Sequence, residues 1–404
     1  MSINLSTMPK LGFGLMRLPQ KDGKIDIEQV CRMADAYLDA GMNYFDTAYV
    51  YHDGHSEEAV KEALAKRYPR DRFMVATKLP AWQLKEEADR DRIFSEQLER
   101  CGLDYFDFYL LHSVEDGNNG DTYEKLRCYD WALEKKAQGK IRHFGFSFHG
   151  SPEYLEKTLD AHPEIEFVQI QLNYADWENP VVRSGRLYDI LHRRHIPMII
   201  MEPVKGGTLA KLPPELEAKY RAFRPDASAA SWALRFVGSL PGVMTILSGM
   251  SAEDQMLDNI RTFSHFEPLS DEEKALIDEV RSIMLDKPLI GCTSCRYCTP
   301  GCPRHIAIPD VFRAVNTMTL YNDVFRPKAF YGGLLSQGCG KASDCIACGQ
   351  CEGVCPQHLP IIELLKDAAA RFDQEIRLNR QEESGTRLRS GKNKKPVSDF
   401  GLCL

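Results

Sequence analysis

Eight of the thirteen cysteines in this 404-residue chain fall in two short runs that share one spacing. Each run is Cys-x-x-Cys-x-x-Cys-x-x-x-Cys-Pro, and Cys345 in the second run lies 53 residues after Cys292 in the first. Thiolates bind soft metal ions, and a repeated close spacing favours metal ligation over scattered thiols. The sequence therefore predicts a metal-binding region, with the candidate ligands Cys292, Cys295, Cys298, Cys302, Cys345, Cys348, Cys351 and Cys355.

Structural zinc and iron–sulfur clusters are the two chemistries that such cysteines could serve. Zinc takes four ligands in a closed tetrahedral site, usually from two separated Cys-x-x-Cys pairs, which leaves the third and fourth cysteines of each run without a role. The runs resemble those of bacterial-type ferredoxins with two clusters, in which the fourth cysteine of each run binds the other cluster. The resemblance implies two 4Fe-4S clusters. Their ligand sets would be Cys292, Cys295 and Cys298 with Cys355, and Cys345, Cys348 and Cys351 with Cys302.

The segments that follow the two runs also repeat in their apolar positions, so each run is expected to lead into a helix. The chain between the runs looks helical around Ile308–Val324. In this respect the region resembles the α-helical ferredoxin domain of succinate dehydrogenase iron–sulfur subunits. The resemblance implies a small, mostly helical domain.

A second set of residues could support hydride chemistry on a carbonyl. Asp46, Lys78 and His112 each end a predicted strand, and Tyr51 follows the first of these strands. Hydride addition to a carbonyl carbon creates an alkoxide that needs a proton, and a phenol with an ordinary pKa of about 10 is a poor donor at pH 7. The ammonium of Lys78 would favour the phenolate of Tyr51, and Asp46 would keep that ammonium charged and oriented.

These residue types predict Tyr51 as a general acid. His112, as a neutral imidazole, could donate a hydrogen bond to the carbonyl oxygen and orient the substrate. For this chemistry the four side chains must meet at one place, which requires parallel strands whose carboxyl ends lie at the same rim.

The elements needed for that arrangement are present in the sequence pattern. Short apolar runs alternate with amphipathic stretches, several of which begin with a Ser, Thr or Asp cap. Eight strands over roughly 250 residues favour a closed (β/α)8 barrel over an open doubly wound sheet. No Gly-x-Gly-x-x-Gly turn follows a strand. The predicted strands are Leu11–Leu15, Tyr44–Asp46, Phe73–Lys78, Phe108–His112, Ile141–Ser147, Phe167–Leu172, Met198–Met201 and Met244–Leu247.

Three motifs in this region are similar to those of the aldo-keto reductase superfamily. They are Phe45-Asp46-Thr47-Ala48-x-x-Tyr51, Ala76-Thr77-Lys78 and Tyr109-Leu110-Leu111-His112. The resemblance implies a TIM barrel that uses NADH or NADPH to reduce an aldehyde or ketone to an alcohol. It also implies that the residues of the proposed tetrad are catalytic.

By the same resemblance, Ser147 and Gln171 would place the nicotinamide, and Gly249 and Asn259 would lie near the adenine end of the nucleotide. Loops after the seventh and eighth barrel strands commonly bind phosphate, and the candidate residues there are Lys205, Gly206, Gly207, Ser248 and Gly249.

The sequence also departs from the family pattern near the nucleotide. Met201 stands where the family often has an aromatic residue against the nicotinamide, and Phe148 stands where it often has an asparagine. Gly249 and Gln255 replace the basic residues that commonly bind a 2′-phosphate. These departures make NAD as well as NADP a candidate cofactor.

The expected domains are a barrel over residues 1–287, a cluster domain over 288–375 and a polar tail over 376–404. A composition of 43% hydrophobic and 27% charged residues is that of an ordinary globular protein. The formal charge of −7 argues against nucleic-acid binding. No apolar run is long enough to span a membrane and no export signal is recognisable, so we expect a cytoplasmic protein.

Two functional hypotheses follow from these domains. In the first, the barrel reduces a small-molecule carbonyl, and the clusters exchange electrons with an external protein or hold the fold together. In the second, the chain is an electron-transfer or redox-sensing protein whose barrel is a docking body or binds a flavin. Hydride transfer moves two electrons and a cluster passes one, so direct coupling would need a flavin or a substrate radical. No sequence feature identifies a flavin site, and the substrate and the oligomeric state are left open.

Overall fold

A computed structural model describes residues 8–116, 118–179, 182–321 and 324–383. The chain divides into two compact units, Met1–Arg281 and Ser282–Leu404. The division falls inside the helix Asp271–Leu285, a few residues before the boundary expected from sequence. Most of the predicted polar tail lies outside the described residues. No helix in the described part of the chain is long and apolar enough to cross a membrane.

The first unit is a closed barrel of eight parallel strands, as predicted. Each strand pairs with its neighbours in chain order, and the first strand pairs with the last. The strands are β1 Leu11–Gly14, β2 Tyr44–Asp46, β3 Met74–Pro80, β4 Phe106–Val114, β5 Ile141–Phe148, β6 Phe167–Gln171, β7 Met198–Met201 and β8 Val243–Ser248. A two-stranded hairpin, Gln20–Lys21 with Lys24–Ile25, follows β1.

Helices follow the strands, and side-chain caps start several of them. Asp26 accepts a hydrogen bond from the amide of Gln29 at 3.1 Å at the start of the first helix, and Ser151 does the same for a later one. The helices of this unit are α1 Ile27–Asp39, α2 His55–Val60, α3 Ala88–Cys101, α4 Asn118–Lys125, α5 Cys128–Ala137, α6 Pro152–Ala161, α7 Ser184–Arg193, α8 Pro214–Phe223, α9 Ala229–Gly238, α10 Glu253–Ser264 and α11 Asp271–Leu285.

The inside of the barrel is a packed apolar core, as the (β/α)8 fold requires. Its buried residues are Tyr44, Ala76, Phe108, Leu110, Phe167, Ile199, Met244 and Leu247. Gly12 in β1 is needed for this packing, because a Cβ there would lie 2.8 Å from side-chain atoms of both Leu247 and Thr245. The core closes the barrel below the rim at which the strands end.

The second unit is mostly helical, as predicted. Its helices are α12 Ile308–Tyr321, α13 Phe325–Ser336, α14 Gln350–Gly353 and α15 Ile361–Glu383. The helices α12 and α15 begin 53 residues apart, so each cysteine run leads into a helix. The repeat also extends to the backbone conformation. Ser294 and Ala347 lie at equivalent positions and have positive φ values of 57° and 55°, respectively.

Candidate active site and cluster ligands

The predicted catalytic residues come from three neighbouring strands and the turn after one of them. Asp46 is the last residue of β2, whereas Lys78 and His112 lie two residues before the ends of β3 and β4. The expectation that Lys78 and His112 end their strands is therefore wrong. The reason is that the β3–β4 ladder continues to the pair formed by Pro80 and His112. The error does not change the rim at which these side chains lie.

Tyr51 begins a tight turn, Tyr51–Gly54, after β2. Within that turn His52 and Asp53 have left-handed backbone conformations, with φ values of 50° and 55°. Non-glycine residues adopt this conformation at a cost, and such turns cluster at functional sites. The turn places Tyr51 Oη 3.4 Å from the Nζ atom of Lys78 in the neighbouring strand β3.

Lys78 is the centre of the site and its side chain is 1% exposed. Its Nζ lies 2.5 Å from Asp46 Oδ1, 2.7 Å from the carbonyl oxygen of Thr47 and 3.4 Å from Tyr51 Oη. These three acceptors match the three protons of an ammonium group. Burial lowers the pKa of Lys78 from its ordinary value, and the carboxylate of Asp46 opposes that shift.

His112 completes the cluster of four residues. Its ring centroid is 6.0 Å from that of Tyr51, and the two rings are nearly perpendicular. Trp82, which is 46% exposed, lies on another side with its ring centroid 5.1 Å away. Burial, followed by the positive charge of Lys78, holds the pKa of His112 well below its usual range. The imidazole is consequently neutral at physiological pH.

Tyr123 in α4 holds the strand ends that carry this cluster. Its Oη lies 2.6 Å from the carbonyl oxygen of Leu79 and 2.7 Å from that of His112. The amide of Ala81 donates a hydrogen bond to the same oxygen at 3.0 Å. The sequence pattern does not indicate this buried tyrosine, because a tyrosine inside an amphipathic helix carries no signal of its distant partners.

Residues predicted to contact the nicotinamide lie on the next two strands. Ser147, which lies one residue before the end of β5, is buried, and its Oγ accepts a hydrogen bond from the amide of Ser113 at 2.8 Å. Gln171 ends β6, and its Nε2 donates to Asp176 Oδ2 at 3.1 Å. Met201 ends β7 and is partly exposed.

Asp176 joins two of the predicted nucleotide contacts and was not identified from sequence. One of its carboxylate oxygens accepts hydrogen bonds from Gln171 and Asn173, and the other pairs with the ammonium of Lys205. Lys205 begins a short turn that also contains Gly206 and Gly207. An Asn-x-x-Asp turn after a strand is the signal that could have indicated this residue.

The loops after β7 and β8 bring further predicted residues together. Asn259 in α10 donates a hydrogen bond to Ser248 Oγ at 2.9 Å, and both residues are buried. A Cβ on Gly249 would lie 3.4 Å from Arg17, so a basic residue from the loop after β1 lies against this glycine. Arg17 is paired with Glu202 at 3.1 Å, whereas Gln255 accepts from the amide of Ser251.

The eight clustered cysteines surround two cavities in the second unit. One cavity is lined by Cys302, Cys345, Cys348 and Cys351. The other cavity is lined by Cys292, Cys295, Cys298 and Cys355. In each cavity three cysteines come from one run and the fourth from the other run, which fits two clusters with exchanged fourth ligands.

The surroundings of the two cavities differ. Thr293 in the first run is 2% exposed, while Ile346 at the equivalent position of the second run is 57% exposed. Cys348 is likewise exposed, whereas Cys295 at the equivalent position of the first run is only partly exposed. The amide of Ser294 donates to Cys292 Sγ at 3.5 Å, an interaction that stabilises a thiolate.

Comparison with known proteins assigns both units to families. Residues 10–282 match the aldo/keto reductase family, and residues 291–359 match a 4Fe-4S dicluster domain. The first match spans more than half of the chain. The chain therefore belongs to the aldo/keto reductase family, with a 4Fe-4S dicluster domain after the barrel, and the predicted class of oxidoreductase is confirmed.

Individual relatives share the barrel region. "Uncharacterized oxidoreductase YqkF" of Bacillus subtilis is 26% identical over 302 residues, which cover 66% of this chain and 91% of that protein. The "NADH-specific methylglyoxal reductase" of Escherichia coli is 26% identical over 329 residues, which cover 68% and 95%. The structure of an aldo-keto reductase from Klebsiella pneumoniae in complex with NADPH has a TM-score of 0.53 at 24% identity and covers 68% of this chain and 91% of that one.

Proposed function

We propose that this protein reduces an aldehyde or ketone to an alcohol with NADH or NADPH, and that its second unit carries two electron-transferring 4Fe-4S clusters. The observation that carries the reductase proposal is the chain of contacts from Asp46 through the buried Lys78 to Tyr51 Oη at the open end of the barrel. Membership of the aldo/keto reductase family supports an oxidoreductase acting on small molecules.

The residues of the site suit the two demands of carbonyl reduction. A bound nicotinamide nucleotide supplies the hydride. Tyr51 donates the proton from Oη to the developing alkoxide, and Lys78 stabilises the phenolate that remains. Asp46 holds Lys78 by its 2.5 Å contact, so that the ammonium stays directed at Tyr51. General acid catalysis of this kind contributes on the order of 10²–10⁴-fold to a rate.

His112 orients the substrate in this proposal. Its neutral ring donates a hydrogen bond to the carbonyl oxygen, and it does not compete with Tyr51 for the proton. The exposed ring of Trp82 packs against His112 and provides an apolar wall for the substituent on the carbonyl. These contacts favour a small uncharged carbonyl compound as the substrate.

The nucleotide is held by residues from the last four strands and their loops. Their roles follow the family resemblance, and their burial and mutual hydrogen bonds support a preformed site. NADH and NADPH both remain candidates, because uncharged residues stand at 249 and 255 while Arg17 lies against Gly249. The proposed contacts are Ser147, Gln171, Met201, Lys205, Gly206, Gly207, Ser248, Gly249 and Asn259.

The two cavities lined by four cysteines each have the donor chemistry that 4Fe-4S clusters require. Such clusters carry single electrons. The exposure of Cys348 and Ile346 favours exchange with an external electron-transfer protein at the cavity lined by Cys348. The same exposure is the observation that favours the second candidate, a redox-sensing or electron-transfer protein whose barrel is a docking body or binds a flavin.

The substitution Tyr51→Phe separates the two candidates. Under anaerobic conditions, with NADH or NADPH and a panel of aldehydes, we expect the variant to lose at least about 100-fold in kcat while nucleotide binding is kept. Tyr105→Phe is the matched control, because Tyr105 precedes β4 at the opposite rim and contacts Arg142. A Tyr51→Phe variant as fast as the parent would exclude the tetrad mechanism and leave the electron-transfer candidate.

A further inference from the structure

A second buried acid lies behind Lys78 and has no part in the tetrad. Glu57 in α2 is completely buried, and its Oε1 accepts hydrogen bonds from Thr77 Oγ1 at 2.7 Å and Gln97 Nε2 at 3.0 Å. Thr77 is the residue before Lys78 in β3. The amide of Gln97 also lies 3.0 Å from the carbonyl oxygen of Lys78. The carboxyl group of Glu57 is thus joined directly to the side chain of Thr77 and, through the side chain of Gln97, to the backbone carbonyl of Lys78.

Several titratable groups face Glu57 from the elements packed around it. Arg100 Nη1 in α3 lies 3.5 Å from Glu57 Oε2, and the thiol of Cys101 lies on the same helix. From β4, Tyr109 Oη donates to Gln97 Oε1 at 2.7 Å. From β3, Lys78 itself experiences the charge of Glu57, which raises the pKa of the lysine. Arg100 and Lys78 are therefore the cations that favour an ionised Glu57.

Burial outweighs these partners and raises the pKa of Glu57 to about 7. The group is thus charged above neutral pH and takes up a proton as the pH falls through 7. When Glu57 is protonated, only the carboxylate of Asp46 remains to stabilise the ammonium form of Lys78. The phenolate left by proton donation from Tyr51 is then less well stabilised.

We propose that Glu57 is a positioning residue for the reductase reaction, whose carboxylate fixes the Thr77–Lys78 segment and keeps the Lys78 ammonium charged beside Tyr51. This inference rests on the proposed function. It predicts that kcat for carbonyl reduction decreases as the pH falls through about 7. This decrease, the acid limb of the pH profile, would be caused by protonation of Glu57, which lies outside the tetrad.

The test compares pH profiles of kcat and KM from pH 5.5 to 8.5 with 4-nitrobenzaldehyde and the preferred nucleotide. Glu57→Gln keeps the shape of the side chain and removes the charge. We expect its kcat at pH 8 to fall roughly tenfold, with KM unchanged and the acid limb gone. Glu57→Asp should restore part of the limb. Glu58→Gln is the matched control, because Glu58 is exposed on the same helix and should behave as the parent.

Arg100→Met provides a second readout that keeps the carboxyl group in place. Loss of this cation should move the acid limb to higher pH, since the charged form of Glu57 loses a partner. A limb that stays at the same pH in both Glu57→Gln and Arg100→Met would overturn the inference and leave the proposed function standing. A parent enzyme that reduces no aldehyde in the panel would overturn both.

Discussion

The carboxylate of Asp176 forms a salt bridge with the ammonium of Lys205, and the two side chains are 1% and 11% exposed. Asp176→Asn would leave this ammonium buried without its counter-charge. Removal of one partner of a buried pair costs about 3–5 kcal/mol, so we expect a loss of that size in the free energy of unfolding, measured by urea denaturation.

A double variant distinguishes this cause from simple loss of packing. Lys205→Met combined with Asp176→Asn removes both charges, and it should recover part of the lost stability. Asp271→Asn is a control at an exposed pair with Lys274, and it should leave the stability close to that of the parent. If the double variant were as unstable as Asp176→Asn, the buried charge would not be the cause.

The neutral state of His112 leads to a prediction about pH. Burial and the charge of Lys78 disfavour the imidazolium, which holds its pKa well below the ordinary range. The ring therefore stays neutral at physiological pH, and its titration does not contribute to the rate there. We expect His112→Gln to lower kcat/KM by about 10–1000-fold without changing the shape of the pH profile.

The measurement is kcat/KM for one aldehyde at half-unit intervals from pH 6 to 8. A limb near pH 6.5 that is present in the parent and missing in His112→Gln would show that the ring titrates in this range. His195→Gln is a control, since this exposed histidine lies in the loop before β7.

The sequence predicted features that depend on local spacing. All eight barrel strands were located, because parallel strands are short apolar runs between helices. One local feature was predicted wrongly: the sequence pattern over Thr122–Gln138 indicates a single helix, whereas the structure has two helices, α4 and α5, because Arg127 between them has a φ of 48°. The spacing of apolar residues does not reveal a single residue whose left-handed backbone conformation interrupts a helix.

The contacts that hold the candidate site could not be predicted in the same way. Asp176 meets Lys205 across 29 residues, and Glu57 meets Gln97 across 40. Each of these residues is an ordinary polar residue in its own segment. Only the closure of the barrel brings them together, so their roles depend on three-dimensional packing that spacing does not encode.

The exchange of the fourth cysteine between the two runs can be tested directly. Cys302 is close in sequence to Cys298, but it lines the same cavity as Cys348. We therefore expect Cys302→Ser and Cys348→Ser to alter the same cluster, as judged by electron paramagnetic resonance of the reduced protein. Cys298→Ser and Cys355→Ser should alter the other.

The matched control for these substitutions is Cys31→Ser, in the barrel unit, which should leave iron, acid-labile sulfide and the spectra unchanged. If Cys302→Ser gave the same spectrum as Cys298→Ser, each run would hold its own cluster. A protein that contained zinc and no sulfide after anaerobic preparation would contradict the cluster proposal as a whole.

The two cysteine-lined cavities differ in exposure, so we expect the two proposed clusters to lose iron at different rates. Ile346 and Cys348 border one cavity at the surface, whereas Thr293 is buried at the equivalent place beside the other. Solvent exposure governs access of oxidants and chelators to iron–sulfur sites. On treatment with ferricyanide and a ferrous-iron chelator, we expect iron to leave in two phases, with the fast phase from the site of Cys348.

In Cys348→Ser the fast phase should be missing, and in Cys298→Ser it should remain. Aldehyde reduction measured after the fast phase then reports on coupling between the two units. A rate that is unchanged once the exposed cluster is lost, in protein that is still folded, would show that carbonyl reduction does not use that cluster. A rate that falls with the fast phase and not with the slow one would identify the exposed cluster as the one connected to the reaction. Release of iron in a single phase would contradict the difference in solvent exposure between the two cluster sites that we infer from Thr293 and Ile346.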